Sequence, residues 1–196
     1  MKALLPLAQA IDKLNEGIFR VVMWLVLIVT LISAGNAVIR YAFDRSSNAW
    51  LETQWYLFSA IFLFCAAYTL KCNEMVRIDV VTGRFSRRTQ GWIDVFGTIV
   101  FLMPIALMMV WLSWPVFMSA YTHNEMSSNA GGLPLWPARA LVPVGFGLLF
   151  LQAVSELIKM LGFLSGAGPD PHAKQGEKSA EELLAEEIVK SRGEQA

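Results

Sequence analysis

The chain has 196 residues, 55% of them hydrophobic and 16% charged, with 16 acidic side chains balancing 16 basic ones. A soluble domain of this size carries about 25% charged residues, so the composition points to a membrane. A net charge of zero gives no footing for a nucleic-acid partner or an acidic polymer.

The first element is an amphipathic stretch. Leu4, Leu7, Ala8, Ile11, Leu14 and Ile18 recur at helical spacing, while Asp12, Lys13, Asn15 and Glu16 face away. This pattern predicts an interfacial helix over 1–17 lying in the headgroup plane; the alternative is a segment that simply prolongs the first span. Val21–Ile39 follows with 19 residues and no charge, then Thr53–Leu70 with 18 and Val95–Thr122 with 28, the last interrupted by Pro104 and Pro115. Crossing the hydrocarbon core takes about 20 apolar residues at about 1.5 Å each, so these three qualify. Ala140–Ser155 has only 16, but runs on past Glu156 and Lys159 to Leu164. It qualifies with those two near its end, where long side chains reach headgroups.

The expectation is therefore an all-α integral membrane domain over 18–164, with spans at about 18–40, 51–71, 92–114 and 140–164. Four such runs leave no polar face that a soluble bundle could turn to water. The first is not a cleaved signal peptide, since it is too long and lacks a small-residue cleavage site. The tail, 165–196, opens with a Gly- and Pro-rich linker; Ser179 and Glu182 resemble a capping box for a short helix over Ala180–Lys190.

Lys and Arg set the expected orientation. Lys2, Lys13 and Arg20 precede the first span, and five basic residues (Lys71, Arg77, Arg84, Arg87, Arg88) separate the second from the third. The other two connections hold Arg40 with Arg45, and Arg139 alone. Positive charge favours the cytoplasm, which predicts both termini and the middle loop inside and the other two loops outside.

The inventory excludes much chemistry. The two histidines, His123 and His172, fall outside the spans, whereas a membrane haem needs axial ligands within them. Cys65 and Cys72 sit about 10 Å apart along one helix and cannot pair. No nucleophile–histidine pair, zinc helix or phosphate loop appears. A carrier acting alone would show charges or broken helices near mid-depth; here the ionisable residues gather at the span ends.

Several polar groups there are candidates for holding helices together. Thr30, Ser33, Asn36, Arg40 and Tyr41 line one face of the first helix toward its outer end. Glu52, Tyr56 and Ser59 open the second, so Arg40 and Glu52 share a side of the membrane and are expected to pair. Arg77 and Asp79 alternate with Val76, Ile78 and Val80 in the basic loop. Gln152, Ser155, Glu156 and Lys159 share a face of the fourth helix, where Glu156 is expected to answer a cation of that loop. Gly131, Gly132, Pro134, Trp136 and Pro137 fix a tight outer turn, with Trp136 at the interface, placed either as a plain turn or as a contact for an extracytoplasmic partner.

In this order, Asn36…Arg40-Tyr41, Trp50 with Glu52, Val76-Arg77-Ile78-Asp79-Val80, Gly131-Gly132-Leu133-Pro134 with Trp136-Pro137, and Gln152 with Glu156 resemble the small membrane subunit of the tripartite ATP-independent periplasmic (TRAP) transporters, the DctQ-like family. The resemblance covers about residues 10–164. It departs at Met75, where the family often has His, so no role of that His carries over. The resemblance implies a small scaffold subunit without a cofactor. Its partners would be membrane lipids, a large sodium-coupled elevator subunit and a periplasmic protein that delivers an organic acid. An anchor or assembly subunit of another membrane complex, or a small independent transporter, are the other readings of the residues.

Overall fold

The structure, a computed structural model, describes residues 4–43, 47–73 and 86–166. All of its long elements are helices: α1 (Leu5–Phe43), α2 (Asn48–Lys71), α3 (Arg87–Gly97), a π-helical turn (Thr98–Leu102), α4 (Met103–Thr122) and α5 (Trp136–Leu164). Because α3, the π turn and α4 run on as one rod, four helices among the described residues are long and apolar enough to cross a membrane.

The local sequence accounts for the boundaries. Ser86 opens α3, its hydroxyl accepting the Thr89 N–H at 3.4 Å. Proline at 104 has no N–H, and its ring crowds the carbonyl four residues back. Just before it the coil widens, and the Met103 N–H reaches Thr98 O instead. Gly166, with φ +72°, closes α5 by bonding Phe163 O at 2.9 Å.

The helices run on beyond the charge-free stretches. Leu5 to Phe43, from the amphipathic stretch through the first span, form one unbroken helix of 39 residues. At about 1.5 Å per residue it is roughly 58 Å long, against about 30 Å of hydrocarbon. The helix that holds the third expected span runs from Arg88 to Thr122, and the one that holds the fourth begins at Trp136, three residues before Arg139.

α5 lies at the centre. It packs against α1, α2, α3 and α4, and α1 and α2 close a three-helix cluster with it. The crossings are made by small side chains: among the described residues, six of the eleven buried apolar ones are alanines (Ala8, Ala60, Ala67, Ala106, Ala120, Ala153). A Cβ on Gly145 of α5 would stand 2.7 Å from Leu63 Cβ on α2. Helices in lipid gain no hydrophobic drive from meeting one another, so close backbone approach through small residues supplies the contact. Large apolar side chains point outward instead, including Trp55, Phe58 and Phe62 on α2 and Trp111 on α4. That surface is suited to lipid or to other membrane helices.

Candidate functional site

The polar residues collect into two clasps, one at each end of the three-helix cluster. The first is built around Glu52, in the opening turn of α2, whose side chain is buried. One carboxylate oxygen accepts the Ser127 hydroxyl and the Asn129 amide, the latter at 2.8 Å; the other accepts the Leu133 N–H at 2.7 Å. All three donors lie in the connection between α4 and α5. Tyr56, one turn on, donates to Pro134 O at 3.2 Å, and the Asn48 amide donates to Ala130 O at 3.2 Å. A whole loop is thus strapped to the start of one helix.

The loop's own sequence shapes it for this. Gly131 sits at φ +70°, where a side chain would be strained. Gly132 leaves room for Ser127, since a Cβ there would lie 2.5 Å from Ser127 Cβ. The strand-like bridge between Met126 and Pro134 aligns Ser127 N–H with Leu133 O at 2.9 Å. Glu125, held by Ser119 at 3.0 Å, pairs with Arg139 at 2.5 Å and ties the loop back to α5. Trp136 is partly exposed and meets the edge of the Tyr121 ring, with centroids 5.8 Å apart.

At the opposite end α1 and α5 share a partly buried network. Asp12 accepts Gln152 and Ser155 at 2.8 Å each, and Lys159 at 3.2 Å. Lys159 also reaches Glu156 at 2.5 Å, and Glu156 accepts Gln152 at 3.0 Å. Asn15, fully buried, donates to the Gln152 carbonyl oxygen at 2.6 Å. Alongside, Phe19 stacks on Tyr68 at 3.8 Å, and Glu16 pairs with Lys71 at 3.3 Å, which fixes α2 to the same end of α1.

The expected face of Gln152, Ser155, Glu156 and Lys159 is therefore present, but two expectations need correction. Asp12 and Asn15 do not face away from the bundle; they are the partners that α5's polar stripe needs, because an amide and a carboxylate without partners at that depth would be costly. Glu156 pairs with Lys159 on its own helix, while Arg77 and Arg84 of the basic loop lie outside the described residues. Arg40 does not pair with Glu52: Arg40 is exposed and makes no ion pair among the described residues, while Glu52 is saturated by uncharged donors. Asn36 lines a cleft between α1 and α2, and Tyr41 is 97% exposed. Arg77 and Asp79, like Met75 and the tail, lie outside the described residues. Among the described residues no three His, Cys, Asp or Glu side chains converge as a metal site would require.

The geometry is that of a multi-pass helical membrane protein whose two polar clasps fasten its own helices and loop. The family of tripartite ATP-independent periplasmic transporters, DctQ component, matches residues 29–162, and the chain belongs to it. A comparison with curated proteins finds no match. The DctQ component works in a transporter of three parts, beside a large membrane subunit and a periplasmic binding protein.

Proposed function

We propose that this chain is the small scaffold subunit of a sodium-coupled TRAP transporter of the bacterial inner membrane, which takes up an organic acid delivered by the periplasmic binding protein. It supports the large elevator subunit, binds no transported substrate and catalyses no reaction. The observation that carries this is the pairing within the clasps: Glu52, Asp12 and Glu156 all face donors of the same chain. A transported carboxylate needs a cation, a helix N-terminus or a bound sodium where it is desolvated, and the cations of the two clasps, Lys159 and Arg139, are already engaged. The broad exposed apolar surface supports the scaffold reading, since it offers a second membrane subunit a wide face.

The same reading places the Glu52 end on the periplasmic side and both termini in the cytoplasm, following the Lys and Arg counts. The start of α1, about residues 1–17, then reaches the cytoplasmic headgroups, and 165–196 forms a dispensable tail. Asn36, Arg40, Tyr41 and Trp136 on one side, and Arg77 and Asp79 on the other, are the interface candidates. The test is reconstitution in liposomes. The chain alone should give no uptake, and the chain with the large subunit and binding protein should give sodium-dependent uptake of the acid. Ion-dependent uptake by this chain alone would make it a transporter in its own right.

A further inference from the structure

At the end of the bundle that holds Asp12, two tryptophans share a setting that the other five lack. On α3, Arg88, Trp92 and Phe96 follow at four-residue steps, which keeps them on one flank of the helix. All three are exposed, Trp92 at 60%, whereas Gly91 and Val95 are buried. A Cβ on Gly91 would stand 3.3 Å from Leu164 Cδ2, at the end of α5. On α1 the same order returns as Arg20, Trp24 and Ile28, again all exposed, with Trp24 at 63%. Phe19, next to Arg20, stacks on Tyr68 near the end of α2, so both sets belong to the Asp12 end. In each, the arginine is the member farthest from the middle of its span. Trp50, Trp55, Trp111, Trp114 and Trp136, toward the Glu52 end, have no Lys or Arg four residues to either side. Arg139 stands three residues past Trp136, but it is engaged by Glu125.

We propose that these two flanks bind anionic phospholipids of the leaflet at the Asp12 end. Each phosphate meets an arginine, and an acyl chain lies along the tryptophan and the apolar residue beyond it. Three observations select this occupant. The first is dimension. Eight residues of helix rise about 12 Å, and the headgroup layer on each side of the hydrocarbon is about 5–7 Å thick. Such a stripe therefore reaches from the phosphates into the acyl chains, with the indole between them at the interface that it favours. The second is charge. Residues 71–88, which lead into α3, hold five basic side chains against two acids, Glu74 and Asp79. Glu16, one turn before Arg20, is paired with Lys71, and Asp94, two residues past Trp92, is on the far side of α3. A phosphate suits an exposed guanidinium in that setting. The third is recurrence. α1 and α3 each pack on α5 and form no packed pair with one another among the described residues. A bilayer meets both flanks at once, whereas one partner helix would cover only one of them.

The test is native mass spectrometry of the full chain, purified in detergent and given equal amounts of phosphatidylglycerol and phosphatidylcholine. The wild type should retain two lipids, with phosphatidylglycerol favoured roughly fivefold at each, the worth of one basic residue near an anionic surface. Arg20→Gln and Arg88→Gln should each remove the preference from one of the two, and the double variant should take both lipids alike. Arg→Lys at both positions keeps the charge and should keep the preference. Arg40→Gln is the control: it removes an exposed cation at the other end and should change nothing. A double Gln variant that still favoured phosphatidylglycerol as the wild type does would overturn the proposal. So would an Arg40→Gln variant that lost as much preference as Arg88→Gln, because net charge alone would then set it. Cross-linking of both Arg20→Cys and Arg88→Cys to the large subunit in the assembled complex would also overturn it, since both flanks would then be protein interfaces.

Discussion

At the Glu52 end a single carboxylate holds a loop through one hydroxyl, one amide and one backbone N–H. At the Asp12 end six side chains on two helices share their hydrogen bonds, with Lys159 between two carboxylates. The first arrangement is a hub and the second a mesh. A hub gathers several donors on one residue, so its loss frees Ser127, Asn129 and Leu133 N–H at once, leaving the loop to Tyr56, Asn48 and Arg139. In a mesh the survivors re-pair, and only the residue that balances the charge is hard to replace. The difference follows from what each end must fasten: an irregular loop offers scattered donors that one acceptor can gather, whereas two helices offer parallel stripes that meet along their length.

The substitutions that separate hub from mesh can be ranked. Glu52→Ala should have the largest effect, because Asn129, Ser127 and Leu133 N–H lose their acceptor together. The purified yield should fall several-fold, and limited proteolysis should cut the loop between α4 and α5 first. Gly145→Val, set between the ends, forces α2 off α5 at Leu63 and should cost about 2 kcal/mol, as overpacking does, seen as a lower unfolding midpoint in detergent. Lys159→Met removes the one cation of the mesh and leaves Asp12 near Glu156. As all three groups are partly exposed, the loss should be about 1–2 kcal/mol rather than the full penalty of a buried pair, and Lys159→Arg should restore most of it. Arg40→Ala should change the unfolding midpoint least, by about 0.5 kcal/mol or less. A large loss there would mean that Arg40 supports the Glu52 clasp after all.

The spans were legible because a membrane imposes its length on the chain, and charge-free runs of 18 to 28 residues have no other common use. The α5 stripe was legible from the spacing of Gln152, Ser155, Glu156 and Lys159. Its partners were not. Asp12 and Asn15 stand beside Lys13 and Glu16, and that mixed run reads as the wet side of an interfacial helix. The contrary signal was present in part: Ala8, Asn15 and Val22 recur every seven residues, with Ile11 between the first two, the seam by which α1 packs. The partners of Glu52 were harder still to find. Charge attracts attention to Arg40, but a buried carboxylate is satisfied as well by uncharged donors, and serine, asparagine and a backbone N–H leave no charge pattern. What Gly131 and Gly132 do there depends on where Ser127 stands, which only the folded loop determines.

The central claim is that these polar residues fasten a scaffold and do not touch what is carried. The direct measurement is sodium-driven uptake by the reconstituted three-part complex, comparing Glu52→Ala and Lys159→Met with the wild type. Both variants should lower the amount of assembled complex. In the complex that does assemble, the substrate concentration for half-maximal uptake should stay within the error of the wild-type value. A variant that assembled normally yet moved that concentration about tenfold, equivalent to about 1.4 kcal/mol of binding, or that changed which acid is carried, would contradict the account.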